Sequence, residues 1–95
     1  MVVYRRNEFT VLKFRNTKKR NYFIIMNSNK DFNKGHTHVN NFYMCKKIIN
    51  CLITKKIDRT FNHYMLTSMK RLNNDHDFEK VIKNEINKIN HKTSC

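Results

Sequence analysis

The chain has no proline, tryptophan, alanine or glutamine, and a single glycine, Gly35. One glycine cannot build a phosphate-cradling loop of the Walker or G-x-G-x-x-G type, each of which needs two or more. The absence of Pro/Gly/Ser-rich stretches excludes collagen-like and linker proteins. No apolar run approaches the roughly 18–20 residues needed to span a bilayer. Arg5, Arg6 and Glu8 interrupt Val2-Val3-Tyr4 before the apolar core of a signal peptide can form. Acidic residues are scarce, seven against 20 basic ones, and no two are placed for general acid–base work. Cysteine is limited to Cys45, Cys51 and Cys95. An odd count without C-x-x-C spacing suits a reducing, intracellular compartment. Cys45 and Cys51 are six apart, which puts them about 240° around a helix from each other and does not suit a bridge.

What is present is positive charge and a modest apolar content. The net charge is +13 over 95 residues, a field that favours anionic partners: nucleic acid, an acidic protein or an anionic surface. The chain also holds 15 Asn, 14 Lys and 9 Ile. These types come from AT-rich codons, so one reading of the charge is codon bias expressed as lysine on a solvated surface. Hydrophobic residues at 39% and aromatics at 12% support a small core and a single domain, one that is marginal at this size. The charge is uneven: residues 1–59 carry +11 and residues 60–95 carry +2.

Periodicity gives an α+β chain: a short N-terminal β-hairpin or meander of two or three strands, followed by three packed amphipathic helices. Phe9–Phe14 is rich in β-formers, and Tyr22–Met26 is a short apolar run of the kind a buried strand needs. The polar stretch between them carries Arg15, Lys18, Lys19 and Arg20. Asn27–Gly35 is a turn cluster in which Gly35 is expected to supply a backbone angle other residues resist. His36–Val39 reads as a further strand pairing back on residues 22–26. Asn40 or Asn41 is placed to cap a first helix running to Thr54, whose apolar residues cover an arc of about 200°. Asp58 or Thr60 is expected to cap a second, with Phe61, Tyr64, Met65, Met69 and Leu72 on one stripe. Asn74 or Asp75 opens a third, with Phe78, Val81, Ile82, Ile86 and Ile89 on one face. This divides the chain into a basic segment, 1–21, with one strand at most; an α+β domain, 22–90; and a fraying tail, 91–95.

Few residues carry recognisable chemistry. His36 and His38 share a strand face, so both imidazoles are placed to reach one metal ion. The other potential ligands, Cys45, His63 and His76, lie at no ligand spacing, and the pair reads more simply as a polar strand edge beside a turn. Cys45 falls on the apolar stripe of the first helix and reads as a small core residue, not an activated thiolate. No arrangement points to an enzyme, and no cofactor is implied. Basic residues interleaved with aromatics give the strongest signal. Arg5, Arg6, Arg15, Lys18, Lys19 and Arg20 flank Phe9, Phe14, Tyr22 and Phe23, and Lys46 and Lys47 follow on the first helix. Such residues hold phosphates and stack bases; alternatively, the aromatics pack onto the helices and leave a solvated basic loop. A helix-turn-helix reader is disfavoured, because residues 76–90 carry no net charge.

The stretch Tyr22-Phe-Ile-Ile-Met-Asn27 … Asp31-Phe-Asn-Lys-Gly-His-Thr-His-Val39, with a helix from Phe42, resembles small uncharacterised proteins of insect large DNA viruses of the baculovirus type, over residues 22–90. The resemblance implies a virus-related setting inside an infected cell, cytoplasm or nucleus, and brings no activity and no site residues. The expectation is a non-enzymatic accessory protein that associates with DNA or RNA through phosphate contacts, without sequence preference. The alternative is a protein-interaction or structural module, for instance for an acidic protein, whose charge is incidental.

Overall fold

The computed structural model describes residues 1–15, 18 and 20–93, and of 91–93 the backbone only. Lys19 and Cys95 lie outside the described residues. Four strands, β1 (Val2–Arg6), β2 (Phe9–Arg15), β3 (Asn21–Asn27) and β4 (His36–Val39), are followed by three helices, α1 (Phe42–Thr54), α2 (His63–Leu72) and α3 (His76–Thr93). The strands form one antiparallel meander in the order β1-β2-β3-β4. The architecture is α+β, with the sheet N-terminal to the helices. β1 adds a strand inside the segment read from sequence as basic and at most single-stranded. Its pairing with β2 shifts register between Val2 and Tyr4, and this irregularity breaks the alternation that sequence reading looks for. Asn7 and Glu8 turn the chain between β1 and β2. Asn7 takes a positive φ of 55°, which Asn tolerates better than most residues.

One face of the sheet and the apolar stripes of the helices make the core. Phe9, Val11, Phe23, Ile25 and Val39 pack against Ile48, Ile49, Leu52, Leu66, Met69, Leu72 and Ile82. Removing one such side chain from water contributes roughly 1.5–3 kcal/mol. Tyr64 and Val81 were expected on the stripes but are 57% and 47% exposed. Tyr64 instead donates its hydroxyl to the carbonyl of His38.

The caps explain where each helix starts. Asn41 accepts from Met44 N–H at the start of α1, and Asp75 accepts from Phe78 N–H ahead of α3. α2 starts later than the sequence suggested. Asp58 spends its carboxylate on the backbone and hydroxyl of Thr60, which closes a local turn, and Asn62 caps the helix by accepting from Met65 N–H. α1 ends at Lys55, whose φ of 58° turns the chain out of the helix.

α2 is fixed to the sheet at two places. The last carbonyls of α2 are received by the β3–β4 connection: Asn27 donates to Leu72 O at 2.7 Å, and Lys30 Nζ donates to Arg71 O and Asn73 O. A cation at a helix C-terminus also meets the negative end of the helix dipole. Along β4, Arg71 Nε donates to His36 O at 3.0 Å and Thr37 donates to Ser68 at 2.9 Å in the interior. α2 therefore covers the free edge of β4, the kind of edge that otherwise recruits another strand.

Gly35 departs from expectation. Its φ is not positive, so no unusual backbone angle calls for glycine. The requirement is space: a Cβ here would lie 2.5 Å from Cβ of Lys30.

Candidate nucleic-acid interface

Strand alternation sorts the aromatics that the sequence groups together. Phe9 and Phe23 point into the core. Phe14 and Tyr22, paired across β2 and β3, lie on the opposite face, which carries Val2 and Arg5 from β1, Thr10, Leu12 and Phe14 from β2, Tyr22, Ile24 and Met26 from β3, and His36 and His38 from β4. None of these ten belongs to the hydrophobic core cluster or is among the partly buried hydrophobics packed against it, and α2 reaches this face at its β4 margin, where Tyr64, Thr67 and Arg71 share clefts with His36, His38 and Tyr22. The aromatics therefore divide: Phe9 and Phe23 pack onto the helices, whereas Phe14 and Tyr22 stand on the other side of the sheet.

The open face carries a continuous row of rings. Phe14 and Tyr22 are near-parallel with centroids 5.5 Å apart, and Tyr22 and His38 are near-parallel at 6.2 Å. His38 meets His36 edge-on at 5.3 Å, and His36 stacks on Phe32 of the β3–β4 connection at 4.3 Å. The His36 ring is held by a contact between its Nδ1 and the carbonyl of Phe32. The row crosses β2, β3 and β4, and its two ends, Phe14 and Phe32, are 37% and 50% exposed. Leu12, Ile24 and Met26 form the apolar floor beside it. His36 and His38 are side by side, but no group of three or more metal-ligating side chains forms among the described residues. Cys45 and Ile48 share the core, well away from this face, so Cys45 does not complete such a set.

The basic residues divide between two places. Arg5, on the open face, and Arg15, at the end of β2 beside Phe14, are exposed. Lys18 lies in the β2–β3 connection and Arg20 stands two residues before Tyr22. Arg6 points to the other side of the sheet and donates to Asn50 on α1 at 3.2 Å. Lys46 lies over the rings of Tyr4 and Phe42 at 5.7 and 5.8 Å. Lys47 pairs with Asp58 at 2.8 Å. Arg6, Lys46 and Lys47 therefore line a cleft between β1 and α1 with Tyr4, Tyr43 and Asp58 and do not join the ring row.

The electrostatics favour the open face. The four ion pairs among the described residues join Lys47 to Asp58, Lys55 to Asp75, Lys83 to Glu79 and Lys88 to Glu85. All belong to the helical half, and Arg5 on the open face takes part in none of them. In the cleft, by contrast, hydrogen bonds from Lys47 and from Thr60 hold the Asp58 carboxyl well below its ordinary range, and the Asp58 bond in turn raises Lys47. That lysine is already matched. Burial pushes the Cys45 thiol up to about 12 and raises Cys51 as well, the opposite of what an activated thiolate requires.

Sequence reasoning missed Phe32 and the inclusion of His36 and His38 in an aromatic row. Period-two alternation was enough to separate Phe9 from Phe14 and Tyr22 from Phe23, but the row also depends on strand register and on how the β3–β4 connection folds back. No helix of the described residues is long and apolar enough to cross a membrane. Comparison of the chain with family models, curated proteins and solved structures finds no match in any of the three.

Proposed function

We propose that the protein is a non-enzymatic accessory protein that associates with nucleic acid without sequence preference, and that the open sheet face is its contact surface. The observation that carries this reading is the row Phe14–Tyr22–His38–His36–Phe32 on an open face that also carries Arg5, which has no carboxylate partner among the described residues. Phosphates supply the counter-charge that the protein itself does not. Contacts of this kind position a polyanion but carry no base information. The viral, intracellular setting implied by residues 22–90 belongs to the same proposal; the binding chemistry rests on the sheet face.

The test is binding of the purified chain to heparin, DNA and RNA across a salt series. The logarithm of the binding constant should fall linearly and steeply with the logarithm of salt concentration, and Arg5→Ser should make the fall shallower. A chain that ignores all three polyanions at low salt would end this reading.

A second reading is favoured by Val2, Leu12 and Met26, exposed or half-buried, which give the same face an apolar component suited to a protein partner. On that reading the charge is incidental, and binding to a partner would survive high salt.

A further inference from the structure

The ring row has a property that phosphate binding alone does not call for. Rings in face-to-face contact lie about 3.5–4.0 Å apart. The near-parallel pairs Phe14–Tyr22 and Tyr22–His38 have centroids 5.5 and 6.2 Å apart, so their rings are offset sideways by about 4–5 Å if stacked at that contact distance. If they lie side by side instead, they do not overlap at all. Phe14 and His38 are exposed and Tyr22 is half-buried, so the row offers ring surface to solvent at the spacing of adjacent strands.

We infer that the occupant of this face is a single-stranded stretch of nucleic acid whose unpaired bases stack on Phe14, Tyr22 and His38 and, at the far end of the row, on Phe32, and not a duplex. This rests on the reading of the sheet face as a nucleic-acid surface and adds the state of the nucleic acid that fits it. In a duplex the base faces cover one another, and only phosphates and groove edges are offered to a protein. A row of aromatic faces gains little from that. A single strand offers the π-face of every base, and each base stacked on an aromatic side chain adds affinity whatever its identity. Tolerance of sequence is thus a consequence of the chemistry, not a defect of the site. The placement of charge agrees: Arg5, on the edge strand β1, stands at the margin of the face and not between the rings, where a backbone would run beside stacked bases.

The experiment uses the full chain with a labelled oligothymidylate of about a dozen nucleotides, within the usual range for such surfaces, and with the matching dT·dA duplex, both at low salt. The single strand is expected to bind about tenfold or more tightly than the duplex. Phe14→Ser and, independently, Phe32→Ser in the connection should each weaken single-strand binding about fivefold or more and leave duplex binding unchanged. Both side chains are exposed, so unfolding is not a necessary consequence, and thermal melting of each variant verifies that. Tyr22→Phe keeps the ring and removes its fluorescence: affinity should be retained while part of the tyrosine quenching on binding disappears. Equal affinity for both forms, or a single-strand preference that Phe14→Ser and Phe32→Ser leave intact, would overturn the stacking inference. If Arg5→Ser still weakened binding in that case, the surface reading would stand without it. Failure to bind either form at low salt would remove both.

Discussion

Arg5 and Arg6 are consecutive in the chain and stand on opposite sides of the sheet. Arg5 pairs across to Thr10 on the open face, whereas Arg6 pairs to the buried Phe9 and reaches Asn50 on α1 at 3.2 Å. The proposed surface therefore distinguishes two neighbouring, identical residues. Arg5→Ser is expected to reduce the slope of log binding constant against log salt by about 0.7 for a single strand, the value for one lost phosphate contact. Arg6→Ser should leave the slope unchanged. Binding isotherms of the two variants over the same salt series provide the comparison.

A second prediction concerns the link between sheet and α2. Asn27 is 2% exposed, donates to Leu72 O at 2.7 Å and accepts from Asn29 N–H at 2.8 Å. Asn27→Ala strands a carbonyl at the end of α2 and an N–H in the turn. It should destabilise the fold by about 1–3 kcal/mol, the cost of leaving buried polar groups unpaired. Urea unfolding of the variant measures this, with the midpoint falling and the slope retained.

How much of this was legible in the sequence depends on the residue. Asn41 and Asp75 sit directly before apolar stripes, so each cap could be read to within one residue, as Asn40 or Asn41 and as Asn74 or Asp75. Asn62 could not, because Asp58 and Thr60 are equally good caps by type, and the structure commits them to a turn with each other. β1 was obscured by its shifted register near Val3. The split of the aromatics follows from strand alternation, but which face the helices cover does not. Tyr22–Met26 is apolar on both sides, and only the packing of Phe23 and Ile25 into the core with the helices puts Tyr22, Ile24 and Met26 on the other side of the sheet. The charge total was plain, yet its division into a matched cleft and an unmatched face required knowing that Lys47 meets Asp58.

Gly35 gives a third prediction. Because its backbone angle is ordinary, Gly35→Ala should cost stability through crowding alone, about 1–3 kcal/mol as for other overpacked sites. The crowding atom is Cβ of Lys30, so Lys30→Gly should partly relieve the effect of Gly35→Ala despite its own cost. A double-mutant cycle in urea reads the coupling, and simple additivity would argue against the steric cause.

A fourth concerns acid. Hydrogen bonds from Lys47 and Thr60 lower the Asp58 carboxyl below its ordinary value of 3.8. A carboxylate whose value is lower in the folded state stabilises the fold above its unfolded value, and that contribution fades as the pH drops through the folded one. The loop between α1 and α2 should therefore loosen in acid. Asp58→Asn should destabilise the protein at neutral pH and matter less below pH 3.8. Hydrogen exchange of the amides around Thr60, compared at the two acidities, checks the sign.

The most direct measurement is a titration of the isotope-labelled full chain with a short single-stranded oligonucleotide, followed by amide and aromatic NMR shifts. The account predicts that the changes concentrate on the open face, at Leu12, Phe14, Tyr22, Ile24, His36, His38 and Phe32, with the α1 side at Arg6, Lys46 and Lys47 silent. Changes confined to the α1 side, or no changes at low salt, would contradict it.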